Sequence, residues 1–194
     1  MKIVFLDRKT VGDDINLAKF QEFGELVEYH FSTDEEIPAR VRDADIIITN
    51  KCNMNEATLA TASHLKLICV TATGTNNLDK DYLEKRKIAW RNVAGYSTET
   101  VAQHTFALLF YLYENLAYYD AYVKDEKYVN DKMFTHFAKT FHQLAGKTCG
   151  IIGLVQLENV WLRLRQYLVV RFSISQRPAV TMTSSIRKWI YRHC

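Results

Sequence analysis

Five short runs of β-branched and aliphatic residues, separated by stretches with helical spacing, constrain this chain more than anything else in it. The runs cover residues 2–7, 26–31, 44–49 (ADIIIT), 65–71 (LKLICVT) and 88–92. The fourth is a continuous apolar run, as expected for a strand covered on both faces. Between the runs, Ile15, Leu17, Ala18 and Phe20 space like one helix face over residues 14–23, and helices are expected over residues 35–42, 55–62 and 78–85. Strands alternating with helices at this spacing imply βαβ units, a parallel sheet and an α/β fold. In such sheets the loops after the strand ends build the site. Here those loops are residues 7–11, 50–53, 72–77 and 93–97.

The scale changes after residue 96. Ser97-Thr98-Glu99-Thr100 has the hydroxyl and carboxylate chemistry of a helix start. Residues 101–124 contain no Gly or Pro and read as one long helix, apolar on more than one face. Its Phe110, Tyr111, Tyr113, Tyr118, Tyr119 and Tyr122 call for a partner surface. Residues 125–143 read as a polar and aromatic connection. Gly146 to Leu154 (GKTCGIIGL) then reads as a turn, a buried strand and the first glycine of a loop.

Bulk properties exclude several classes. The chain has 194 residues, 48% of them hydrophobic, enough for one domain plus part of another. A net charge of +3 is too small to argue for nucleic acid. No run is long and apolar enough to span a membrane, and MKIVFLD lacks the layout of a signal peptide. Cys52, Cys69, Cys149 and Cys194 are scattered without a C-x-x-C, which fits reduced thiols in the cytoplasm. The histidines show no metal-ligand spacing, so no metal site is expected. One feature is uneven: residues 155–194 carry seven Lys/Arg against a single acid, Glu158, and none of the seven glycines.

Three segments together resemble the D-isomer-specific 2-hydroxyacid dehydrogenases, in the glycerate dehydrogenase or hydroxypyruvate reductase branch. They are LKLICVTATGTNNLD (65–79), NVAGYSTETVAQHTFALLF (92–110) and LAGKTCGIIGL (144–154), in order and in spacing. The resemblance implies a flavodoxin-like substrate domain over residues 1–96. The start of a Rossmann domain, with a long dimerisation helix and the first strand, would follow over residues 97–154. It implies a homodimer, a small 2-oxo or 2-hydroxy acid as substrate and NAD or NADP as cofactor. The loop that holds the substrate carboxylate maps to Thr73 and Gly74. A glycine there lets backbone N–H groups approach a ligand closely. Asn50 and Lys51, at the end of the preceding strand, are further substrate-side candidates. Thr100, Val101 and Gly153 are the cofactor-side candidates. Asn76, Asn77 and Asp79 are expected to cap the next helix. His104, one turn inside the long helix, is expected to be a hydrogen-bonded structural residue.

The pattern then breaks in mid-motif. After Gly153-Leu154 a G-x-G-x-x-G run should continue, but Val155 stands at its second glycine and Glu158 at its third. The second glycine admits a pyrophosphate to the backbone, and the third packs the helix on the strand. A branched side chain blocks the first approach, and a carboxylate at the phosphate-facing helix start repels the ligand. The codons for residues 155–165 (VQLENVWLRLR), regrouped after one inserted G, can read G-A-I-G-K-R-V-A-K-I-A. Joined to Gly153-Leu154, that restores the motif in register. Residues 155–194 therefore read as an out-of-frame tail, with a genuine basic segment as the alternative. The Arg, Glu and His of the family's catalytic set cannot be assigned in the chain, which is expected to be inactive. A non-catalytic dimerising or ligand-binding remnant is the other functional reading. Within the tail, residues 155–172 are expected to form an improvised helix or strand on the flank of the 150–154 strand, and residues 173–194 to be loosely held.

Overall fold

The computed structural model describes residues 1–152 and the strand Arg171–Ser175. It resolves into two compact units that meet between Tyr96 and Ser97. The first holds five strands: β1 (Lys2–Phe5), β2 (Glu25–Glu28), β3 (Ile46–Thr49), β4 (Leu67–Val70) and β5 (Ala89–Asn92). They form one sheet in the order β2-β1-β3-β4-β5, every neighbouring pair parallel. The alternation of runs led to this α/β parallel sheet, and its strand order is the flavodoxin-like one that the resemblance implied. Each strand is four residues long, shorter than its apolar run, because the ends of the runs turn into loops.

Side chains alternate across these strands and so build two apolar layers. Val4, Leu6, Ile47, Ile68 and Val70 face helices α1 (Ile37–Arg40), α2 (Glu56–Leu59) and α3 (Lys80–Lys85), packing with Ile37, Val41, Met54, Leu59 and Leu83. Ile3, Phe5 and Ile48 face the other way, with Val11, Leu17, Leu26, Ile46 and Cys69 partly buried around them. Local chemistry sets the helix starts. Asn55 and Thr58 form a capping box on α2, and Asp79 accepts the Tyr82 N–H to cap α3. Asp79 is thus a cap as expected, whereas Asn77 bonds elsewhere. Gly24 is required for space, since a Cβ there would run into the Met1 carbonyl.

The expected helix over residues 14–23 is not formed. Only a 3-10 turn, Ala18–Glu22, is present, and Ile15 and Phe20 are exposed. The Asn16 side chain takes the Ala18 N–H, and Phe20 and Phe23 donate three residues back, so no α-helical ladder starts.

In the second unit the long helix is interrupted. Helix α4 (Thr98–Tyr113) ends at Glu114, and α5 (Leu116–Lys124) starts after Asn115, whose φ is 52°. Asparagine tolerates this left-handed geometry better than most residues, so the break occurs without Gly or Pro. Ser97 makes no side-chain cap. A short helix α6 (Lys127–Asn130) lies in the expected connection. The tyrosine face has a local cover: the Tyr122 ring stacks on His136 at 3.9 Å, and the Tyr118 hydroxyl lies 2.8 Å from His136 Nε2. Tyr111 of that face remains open, together with Val101, Leu108, Leu116, Val123 and Leu112, the last 74% exposed. His104 is exposed rather than buried. β6 (Thr148–Ile152) pairs in parallel with β7 (Arg171–Ser175), so residues 173–175, expected to be loosely held, are strand-paired. The Val155 and Glu158 positions lie outside the described residues.

Two substitutions test this packing. Ile68→Ala, at a fully buried position, should cost about 2–5 kcal/mol in chemical denaturation. Lys87→Gly, where φ is 56°, should leave stability unchanged or raise it by up to about 1 kcal/mol. The reverse ranking would show that the sheet core is elsewhere.

Candidate substrate-acid site

The carboxyl ends of β1, β3, β4 and β5 bring four loops to one end of the sheet, and one buried carboxylate organises two of them. Asp7 follows β1 and is 3% exposed. Its Oδ2 accepts the Lys51 N–H at 2.7 Å and the Asn50 N–H at 2.9 Å, and the Thr49 hydroxyl donates to it at 3.1 Å. Thr49 Oγ1 in turn accepts the Cys52 N–H at 3.1 Å. A buried charge persists only where several donors replace its water, and residues 49–52 wrap around this one for that reason. Cys52 is enclosed beside it. Burial, with the Asp7 charge adding to it, pushes its thiol up to about 11. Burial also raises the Cys69 thiol.

The loop after β4 is held at both ends and open in the middle. At its start, Asn92 Nδ2 donates to the Thr73 carbonyl at 2.8 Å, and the Thr73 hydroxyl donates to the Val93 carbonyl at 3.2 Å. At its end, Asn77 Nδ2 donates to the Cys52 carbonyl at 2.9 Å, and the Met54 N–H donates to the Asn77 carbonyl at 2.8 Å. Between these clamps, the N–H groups of Thr73, Gly74, Thr75 and Asn76 donate to no acceptor among the described residues. A Cβ placed on Gly74 would meet nothing within 4 Å. Consecutive unpaired N–H groups beside open space suit an anion with oxygen acceptors. Asn50 Oδ1 and Thr71 Oγ1, just past the ends of adjacent β3 and β4, are buried without a partner.

The structure therefore sets Asn50 and Lys51 on one loop, with Thr73 and Gly74 on the next. Asn50 and Lys51 are joined through their backbone to Asp7, and the Lys51 side chain is exposed. Thr100 and Val101 lie exposed in the first turn of α4. Gly153 lies outside the described residues. Sequence reasoning missed Asp7, Asn77 and Asn92 as organisers. The signal for two of them was present, as a polar residue closing an apolar run. No group of three or more His, Cys, Asp or Glu that could hold a metal occurs among the described residues.

Comparison with known proteins gives a consistent set of likenesses. The family model for the D-isomer specific 2-hydroxyacid dehydrogenase catalytic domain matches residues 3–190. A putative 2-hydroxyacid dehydrogenase of Haemophilus influenzae is 39% identical over 153 residues, covering 79% of this chain and 49% of that protein. A glycerate dehydrogenase of Methylorubrum extorquens is 36% identical over 153 residues, covering 78% and 48%. The chain thus spans about half the length of these curated relatives. Among solved structures, a D-lactate dehydrogenase from Aquifex aeolicus, complexed with NAD and lactic acid, superposes with a TM-score of 0.69. It is 21% identical, and the match covers 96% of this chain and 54% of that one.

The Asp7 arrangement can be checked through its neighbour. At pH 8, Cys52 should be alkylated by iodoacetamide about 100-fold more slowly than a thiol with the ordinary value of 9.0. Asp7→Ala leaves two buried N–H groups unpaired, so it should cost about 3 kcal/mol and accelerate that alkylation. Alkylation of the native chain at the rate of a free thiol would contradict the arrangement.

Proposed function

The chain belongs to the D-isomer-specific 2-hydroxyacid dehydrogenase family, and from that premise we propose that its first 96 residues are the acid-binding half of a reductase for small 2-oxo acids of the hydroxypyruvate or glyoxylate type. One observation carries this reading: the row of unpaired N–H groups from Thr73 to Asn76, open at Gly74 and clamped on both sides. Such a row receives a carboxylate. Lys51 adds positive charge at the neighbouring loop, and the unpaired Asn50 Oδ1, an acceptor, suits a hydroxyl of the acid rather than its carboxylate. The identity of the acid draws on the names of the relatives, among them a glycerate dehydrogenase.

NAD or NADP is the cofactor this family membership brings with it, and the residues present do not fit it. β6 ends at Ile152, and the family's phosphate-facing motif maps in sequence to Gly153 and onward, outside the described residues. Its next motif positions are Val155 and Glu158, a branched side chain and a carboxylate where glycines are needed. Thr100 and Val101 are the remaining candidates on the cofactor side and do not supply a phosphate site. We therefore read these 194 residues as catalytically inactive, with residues 155–194 translated in a shifted frame. The regrouped codons and the glycine-free basic composition support that reading. The β6–β7 pairing favours the competing one, a genuine C-terminal segment. The encoding DNA separates the two: a shifted frame that continues the motif supports the first, and its absence supports the second.

The same reading includes a homodimer in the cytoplasm. Open apolar side chains on α4, Leu108 and Leu112 among them, support an isologous contact there. The scattered cysteines support a reducing compartment.

The purified chain should show no NADH- or NADPH-dependent reduction of hydroxypyruvate or glyoxylate, followed by absorbance at 340 nm. Turnover above a buffer blank would refute the inactive reading.

A further inference from the structure

Gly74 gives the acid-binding loop its opening, and the same glycine leaves it free to turn the wrong way. The Thr73 carbonyl and the Gly74 N–H belong to one planar trans peptide and point in opposite directions. Rotating that peptide requires compensating changes in ψ of residue 73 and φ of residue 74. A glycine accepts either sign of φ, so the flip is cheap at this position and would be costly at most others. A flipped peptide would present a carbonyl oxygen where the N–H is needed, and would repel a carboxylate instead of binding it.

Something must therefore hold the carbonyl side, and the hydrogen bonds identify what does. Asn92 closes β5, its backbone fixed by the parallel ladder to β4, and its Nδ2 donates to the Thr73 carbonyl at 2.8 Å. The Thr73 hydroxyl reaches the Val93 carbonyl at 3.2 Å, and the Val93 N–H donates to the Ala72 carbonyl at 3.1 Å, so the residues leading into that peptide are moored to the end of β5. The Gly74 N–H, at the other end of that peptide, has no acceptor among the described residues, and a Cβ on Gly74 would meet nothing within 4 Å.

We propose that Asn92 is a positioning residue: by holding the Thr73 carbonyl, it presets the Gly74 N–H toward the carboxylate of the acid. This rests on the proposed carboxylate-binding role of the loop. The side chain has to be a short amide. An aspartate of the same shape has no N–H to donate, and its charge would oppose the carbonyl. An alanine leaves the peptide free.

The test uses the full 194-residue chain labelled with 15N, and oxalate as the probe anion. In the native chain the Gly74 amide signal should move saturably as oxalate is added. In Asn92→Ala and Asn92→Asp the affinity should fall about tenfold or more, the loss expected when a binding group is no longer held in place. Without any ligand, the Gly74 N–H residual dipolar coupling should change in both variants, while the amides of β1 and β3 keep theirs. Alanine separates lost positioning from the charge repulsion that aspartate adds. If aspartate fails to fold, as the strand amides would show, alanine carries the comparison. Native coupling and native affinity in Asn92→Ala would overturn the proposal. If the native chain binds no oxalate, the proposal falls through its premise, and the ligand-free coupling still reports whether Asn92 holds the peptide.

Discussion

The buried carboxylate of Asp7 is the interaction on which the organised end of this sheet depends. It is nearly inaccessible, yet it gathers the backbone N–H groups of Asn50 and Lys51 and the hydroxyl of Thr49. A charge in that position is unfavourable unless donors converge on it, so its presence dictates the path of the chain after β3. That path carries the Cys52 carbonyl to the Asn77 side chain, which closes the far end of the loop after β4. Asn92 closes the near end. The free N–H row lies between two side-chain amides, one fixed to a strand and the other to the turn that Asp7 shapes.

Much of this was legible in the residues. The apolar runs placed the strands and implied a parallel sheet, and LKLICVT read as a strand covered on both faces; the strand order came only from the structure. The loops after the strand ends were named correctly, and Thr73 and Gly74 fall on the open one. The failures are physical in origin. The 14–23 segment has helical spacing, but Asn16 diverts the first N–H and only a 3-10 turn remains. The break at Asn115 was invisible because sequence rules look for Gly or Pro, and asparagine reaches the left-handed region without either. Part of the aromatic face of residues 101–124, at Tyr118 and Tyr122, is covered by His136 in the following connection, while Tyr111 stays exposed. The clamps at Asn77 and Asn92 depend on tertiary geometry between loops, which no local pattern encodes.

The two ends of the chain stand in different condition. The sheet of the first unit is continuous in pattern, capping and packing, and one of its loops carries the row of unpaired N–H groups. At the far end the family model continues to residue 190, but Val155 and Glu158 stand where the glycine motif calls for glycines. Strand β6 does find a parallel neighbour in β7. A strand pair, however, is not a phosphate site, since that requires backbone N–H groups that a ligand can reach. On this account the acid-binding half is preserved while the dinucleotide-binding half is lost.

Thermal unfolding in the presence of each ligand tests that division most directly. A ligand that binds only the folded chain raises its midpoint, with a stabilisation that grows as the logarithm of one plus the ratio of free ligand concentration to Kd. The account predicts a midpoint that climbs with millimolar hydroxypyruvate and does not move with NADH or NADPH over the same range. A rise with either dinucleotide, or none with the acid, would contradict it.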